Sequence, residues 1–315
     1  MSNSNTQLVD LSHQGLITVT GPDAAKFLQG QVTCDITDLE QASRLGAHCT
    51  HKGRAISSFR AARLADEKIA LRLPKSILAS AQQALAKYIV FSKAELADAS
   101  DDYSRIGLAG PTANALLTEH LAAPPSDVQG VCHLPNGCII KLSEQRFECW
   151  IAAADGKTLW DKLQPACSIS DAEAWTLLDI RDGYGEVRPE TLEAFIPQLL
   201  NYQLIDGISF QKGCYSGQEV IARMHYRGKL KRQMFRVSFP SGEALPLPGT
   251  DIYTDKGTQS VGTIVIAAPA EESRAEALAV ITRDAALSDS AYLDLTQTTQ
   301  LKVLPLPYSL NEKDA

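Results

Sequence analysis

Ile17-Thr18-Val19-Thr20-Gly21-Pro22-Asp23-Ala24-Ala25-Lys26-Phe27-Leu28 recurs in outline as Ile106-Gly107-Leu108-Ala109-Gly110-Pro111-Thr112-Ala113-Asn114-Ala115-Leu116-Leu117. Each copy reads as a strand, a Gly-Pro turn and a helix, since apolar alternation gives way to helical apolar spacing. Proline suits the first helical position, where its missing N–H would have no partner in any case. Two copies are too few for a solenoid. They predict two related α+β domains.

Working outward, residues 56–64 and 68–73 predict a hairpin about Ala65-Asp66-Glu67, with Ile69, Leu71 and Leu73 in strict alternation. A helix follows over 76–88, with Ser76 or a neighbour as cap. After the second copy, 137–142 and 146–152 predict another hairpin, and a helix follows near 158–163. Cys138 alternates there with Ile140 and Leu142, and Cys149 with Phe147 and Ile151, which makes both cysteines core residues. Hairpin then helix, twice over, is the pattern of an α+β sandwich. From Met234 the character changes. Phe235, Val237 and Phe239 alternate, a Pro/Gly-rich stretch covers 240–257, and short strands recur near 260–266, 277–282, 291–295 and 301–304. Short strands between regular turn signals predict a small β-barrel. Residues 311–315 read as a disordered tail.

A chain of 315 residues, 44% hydrophobic and 21% charged, is that of a soluble globular protein with two or three domains. Residues 1–10 are polar and lack a signal-peptide pattern. No apolar run approaches the roughly 20 residues that span a bilayer. The seven cysteines include no Cys-x-x-Cys pair, which fits a reducing, cytoplasmic setting. A formal charge of −7 argues against general adhesion to nucleic acid. Yet Arg223, Arg227, Lys229, Lys231 and Arg232 crowd one segment. They read either as a site for a specific anionic ligand or as a solvated basic strand.

The richest chemistry lies just before that segment, in Lys212-Gly213-Cys214-Tyr215-Ser216-Gly217-Gln218-Glu219. Upstream, Ile208 and Phe210 alternate as in a short strand. Downstream, Val220, Ile221 and Met224 share a helical face, and Glu219 and Arg223 are spaced for an ion pair. Glycines flank the thiol where a turn feeds a helix. A lysine and a helix N-terminus both favour a thiolate, so Cys214 is a candidate reactive group. The alternative is a small buried side chain at a tight turn.

Extended by Val220-Ile221-Ala222-Arg223, this octapeptide resembles the signature of the YgfZ family, folate-binding relatives of the glycine-cleavage T-protein. Gly30-Gln31-Val32-Thr33-Cys34-Asp35, His51-Lys52-Gly53-Arg54, Phe195-Ile196-Pro197-Gln198 with Asn201, and Leu306-Pro307-Tyr308-Ser309-Leu310 match further elements in order. The resemblance implies an α+β, T-protein-like ring of three domains around a central folate channel. The first domain would be discontinuous (1–45 and 168–233). A second, ferredoxin-like α+β domain (46–167) and a C-terminal β-barrel (234–315) would complete the ring.

The resemblance also implies roles. Asp35 corresponds to an aspartate near the reacting folate nitrogen in T-proteins, where it could act as acid/base or electrostatic group; its alternative is a local backbone cap. Trp175 would stack on the pterin, or anchor an interface. Gln14 stands where some relatives carry a second aromatic of the cofactor site. Arg181 replaces a T-protein glutamate and cannot accept hydrogen bonds, so Asp182 or Glu186 would have to substitute. Arg223 and Arg227, with Lys229, suit the glutamate tail of tetrahydrofolate or a derivative. Lys212 would stabilise the Cys214 thiolate or a bound anion. Cys34, Cys49 and Cys214 with His48 and His51 lack a compact metal-ligand spacing. The implied function is a folate-binding accessory role in iron–sulfur cluster assembly or repair, acting through Cys214. Its partners would be iron–sulfur assembly proteins or iron–sulfur tRNA-modifying enzymes, with no membrane. The alternative is a tetrahydrofolate-dependent one-carbon transferase. Direct tRNA binding would rest on the basic segment, against the acidic total and a lack of interleaved exposed aromatics.

Overall fold

The computed structural model describes residues 6–242, 244–255 and 257–310, so the tail at 311–315 lies outside the described residues. The chain forms two compact units, one from Met1–Gly46 with Phe59–Trp175, the other from Ala47–Ser58 with Thr176–Ala315.

The first unit realises both copies of the repeat. Strand Gln14–Thr20 leads to helix Ala24–Gln29, and strand Tyr103–Ala109 to helix Ala113–His120. The helices start later than the prolines predict. Asp23 and Thr112 occupy the N-cap positions, so Pro22 and Pro111 each precede a cap. The turns before them depend on Gly21 and Gly110, at φ 121° and 141°, which a side chain would strain.

One sheet has the order Ser168–Ser170, Gln7–Asp10, Tyr103–Ala109, Arg146–Ala152, Gly137–Ser143, Val131–Leu134. A second has the order Arg44–Cys49, Ala55–Ala65, Lys68–Pro74, Gln14–Thr20, Glu95–Asp98. Both expected hairpins are present, and Glu67 takes φ 54° at the tip of the first. The helix expected at 76–88 is Lys75–Ala86, behind Pro74 and without a side-chain cap. That near 158–163 begins earlier and spans Ala153–Leu163.

Leu16, Ala62, Leu64 and Ala70 of one sheet pack against Cys138, Ile140 and Trp150 of the other. On the far side, Leu116, Leu117, Leu159 and Leu163 from the helices cover Ile139, Phe147 and Cys149. Each middle strand therefore has two buried faces.

The sheets run across residues 45/46, where the sequence places a boundary. Gln7–Asp10 pairs antiparallel with Tyr103–Ala109, and Gln14–Thr20 with Lys68–Pro74. The N-terminal strands are thus members of the sheets formed by the segment assigned to a second domain. Their backbone groups find partners far along the chain, as buried strands must.

In the second unit, five antiparallel strands follow the order Asp251–Thr254, Gly257–Ala270, Arg274–Thr282, Arg232–Pro240, Lys302–Leu304. Phe235, Val237, Phe239, Ile252, Ile264 and Leu301 belong to its core. Among the described residues no closed barrel forms. Outside the strands, isolated bridges join Tyr253 to Tyr292 and Tyr292 to Gln300. Residues 291–295 are not the expected strand. The Asp294 carboxylate accepts from Thr298 N–H, Thr299 N–H and the Thr296 hydroxyl, which folds that stretch into a turn.

Candidate functional site

Four of the family-like elements meet within the second unit. The turn at residues 50–54 is closed by Thr50 N–H to Arg54 O (2.8 Å) and Gly53 N–H to Thr50 O (2.8 Å). Gly217, at φ 80°, caps the helix Gln218–Arg227 and lies against that turn. A Cβ on Gly217 would stand 2.5 Å from Thr50 O, and one on Gly53 3.1 Å from Val220 Cβ. Arg54 donates to Ala194 O at 2.7 Å, and Ala55 N–H to Phe195 O at 2.8 Å. Gln198, on the short 3-10 helix Pro197–Leu200, donates its Nε2 to Ile221 O at 2.7 Å. Asn201, buried at φ 60°, donates to Met234 O at 2.9 Å and to the Tyr308 hydroxyl at 3.3 Å.

This scaffold presents Cys214, a free and exposed thiol. It is the only fully exposed cysteine among the described residues; Cys34, Cys49, Cys138 and Cys149 are buried. The alternative of a buried turn cysteine therefore does not apply. Beside it a Cβ on Gly213 would meet nothing within 4 Å. Lys212 is 9% exposed, and its ammonium lies 5.2 Å from the centre of the Tyr215 ring, a cation–π contact. The strand expected at 208–210 is irregular instead, because Phe210 turns to stack on His225 at 3.8 Å between ring centres. Ile221 is the buried residue of the helix face, with Val220 and Met224 half-buried. Glu219 and Arg223 are both exposed and form no ion pair with each other.

The other expected site residues belong to other elements. In the first unit, Asp35 Oδ1 accepts from Gln29 Nε2 (2.9 Å), Thr37 N–H (2.9 Å) and the Thr37 hydroxyl (2.6 Å). That is the local-cap geometry. Trp175 is 0% exposed, packed on Gly107, with the Arg146 guanidinium 4.1 Å from its ring centre. Its ring offers no open face. Gln14 is 1% exposed within its strand. In the second unit, Arg181 donates to Glu276 (3.0 Å) and Glu271 (2.6 Å), and Arg236 binds the other Glu276 oxygen at 2.7 Å. Glu186 is fully buried against Arg188 at 2.8 Å. Among the described residues no three His, Cys, Asp or Glu side chains are grouped to hold a metal ion.

Arg223, Arg227, Lys229 and Lys231 are all exposed. Beside them Tyr226 is 69% exposed and meets both Phe210 and His225 edge to face. An exposed aromatic therefore does interleave the basic segment, which corrects the expectation that none would. The signal was present in the sequence as His225-Tyr226 between two arginines, but exposure on a short helix is not legible from spacing. The holding roles of Thr50 and Gln198 were likewise missed, since they act through backbone carbonyls distant in sequence.

A family model described as the GCVT N-terminal domain matches residues 2–130. The tRNA-modifying protein YgfZ of Cronobacter sakazakii is 35% identical over 316 residues, covering 97% of this chain and 94% of that protein. The tRNA-modifying protein YgfZ of Serratia proteamaculans is 34% identical over 311 residues, covering 97% and 93%. Among solved structures, the glycine cleavage system aminomethyltransferase T of Bartonella henselae superposes with a TM-score of 0.71. That match covers 99% of this chain and 87% of the other at 16% identity, and it is a likeness of fold.

Proposed function

The chain belongs to the YgfZ family, and from that premise we propose that it is a folate-binding accessory protein for tRNA modification, acting in the cytoplasm. Its finer role in this reading is to support the assembly or repair of iron–sulfur clusters in tRNA-modifying enzymes. The observation that carries this is Cys214, exposed on a turn fixed by Gly217 against Thr50. A thiol so placed can lend one sulfur ligand to a cluster in transit. The cluster is cargo, and its donor or acceptor protein supplies the remaining ligands.

Folate enters through the family and the T-protein-like fold. The residues expected at the pterin ring do not fit that part, because stacking needs an open ring face and Trp175 and Gln14 are buried. Arg223 and Arg227 are accessible and suit the carboxylates of the tail. A one-carbon transfer is less well supported. Arg181 offers no acceptor where T-proteins present a glutamate, and its donors serve Glu271 and Glu276.

The test is Cys214→Ala in a strain lacking the chromosomal copy. The variant is expected to bind tetrahydrofolate as the wild type does, by titration calorimetry, while tRNA modified by iron–sulfur enzymes falls to the level of the deletion. Full complementation by the variant would remove the thiol from the mechanism.

A further inference from the structure

We propose that the outer face of helix Gln218–Arg227, with the segment that follows it, binds single-stranded RNA, Tyr226 serving as a stacking platform. Three observations converge there. From Val220 to Arg236 the sequence contains no aspartate or glutamate, but it does contain Arg223, Arg227, Lys229, Lys231, Arg232 and Arg236. The first four are exposed, so a cationic strip stands on a chain of formal charge −7. Charge alone would serve any polyanion. The aromatic cluster narrows the class.

Phe210 is stacked on His225 at 3.8 Å, and the centre of Tyr226 lies 4.7 Å from His225, with its ring inclined at 76°. Phe210 and His225 thus prop a phenol ring that keeps 69% of its surface open. An aromatic ring held rigid beside cations is what an unpaired base and its phosphates require: the base stacks while the backbone follows the charges. In a duplex the bases are already stacked on one another and cannot reach the ring. A cavity of about 180 Å³ adjoins the platform, lined by Gln203, His225, Gly228, Leu230 and Gln233. Gln233 is buried and bonded to Leu310 O and Arg283, but Gln203 Oε1 has no hydrogen-bond partner among the described residues and can accept from a base edge.

The inference stands apart from the Cys214 reading, since it does not use the thiol; it shares Arg223 and Arg227 with the proposed contacts to the folate tail. Its test is fluorescence anisotropy of a labelled, unstructured 12-nucleotide RNA, and of the corresponding duplex, titrated with the full chain at 50–200 mM salt. The single strand is expected to bind more tightly than the duplex, with a log–log salt slope of about −0.7 per phosphate neutralised. Tyr226→Ala should weaken binding about 5- to 50-fold without changing that slope, and Tyr226→Phe should retain it, as stacking requires. Arg227→Glu combined with Lys229→Glu should flatten the slope by about 1.4. Circular dichroism melts of each variant separate these effects from misfolding. Absence of binding at 50 mM salt, equal affinity for the duplex, or indifference to Tyr226→Ala would overturn the proposal. Failure of this test leaves the complementation result for Cys214 untouched, and the reverse also holds.

Discussion

Gly217 and Gly213 flank the same thiol and are glycines for different reasons. Gly217 sits at φ 80° with Thr50 O in the place of its Cβ. Gly217→Ala is expected to cost about 1–3 kcal/mol, read as a lower urea midpoint at unchanged m-value. Gly213 has open space around it, so Gly213→Ala should stay within about 0.5 kcal/mol of wild type. Equal losses in the two variants would contradict this account of the turn. The sequence marked both glycines but could not separate them, because the carbonyl that decides the matter lies more than 150 residues away along the chain. Glu148 teaches the same lesson in the core. Phe147, Cys149 and Ile151 were legible as an apolar face, which leaves Glu148 and Trp150 on the side where solvent is the default expectation. A second sheet covers that side instead. Glu148 lies 3.1 Å from Arg72, both 0% exposed, and accepts from Trp150 Nε1 at 2.8 Å. Glu148→Gln removes the carboxylate facing a buried guanidinium and should destabilise by about 3–5 kcal/mol. Joint replacement of Arg72 and Glu148 by apolar residues of similar volume should recover much of that loss, by thermal or urea unfolding.

Among the elements, both hairpins and the repeated strand–turn–helix were legible because each is closed by contacts near in sequence. The strands expected at 208–210 and 291–295 failed because alternation over three to five residues cannot outweigh a stacked ring at Phe210 or a carboxylate cap at Asp294. Helix Ala172–Arg181 ends on an ion-pair network with the strand Arg274–Thr282, which has a pH signature. The hydrogen bond from Arg181 holds the Glu271 carboxyl below its ordinary value of 4.5. Its contribution is present above that value and is lost as pH falls through the lower folded value. The gap in urea midpoint between wild type and Glu271→Gln should therefore be found at neutral pH and shrink in acid. A gap that persists at the lowest pH would exclude the linkage. At the other extreme, burial raises the Tyr308 phenol from 10.0 to about 12, against the opposing Asn201 hydrogen bond. The protonated form donates to Gly183 O at 2.8 Å. Folding is favoured below the unfolded value and weakens between the two values as pH rises. Tyr308→Phe should be less stable at neutral pH and should lose less of its stability in that alkaline window.

For the whole molecule, the α+β class and the family were legible because motifs are scattered along the entire chain. The pairing of the N-terminal strands was not, because it depends on which distant strand each one joins. Nothing in a strand's own residues records its partner. The thiol census offers a global test. Of the seven cysteines, Cys214 is exposed, Cys132 and Cys167 are half-covered, and four are buried. A native chain treated with an aromatic disulfide reagent should release one equivalent rapidly, and that phase should vanish in Cys214→Ala. A rapid phase surviving in the variant would mean that another sulfur breathes into solvent. The welded turn beneath Cys214 has a kinetic consequence. In the proposed role, a visiting protein meets a sulfur whose supports are already set, so little ordering entropy remains to be lost on contact. Its capture should follow a single exponential whose rate rises linearly with concentration, governed by collision rather than by reshaping of the receiving surface.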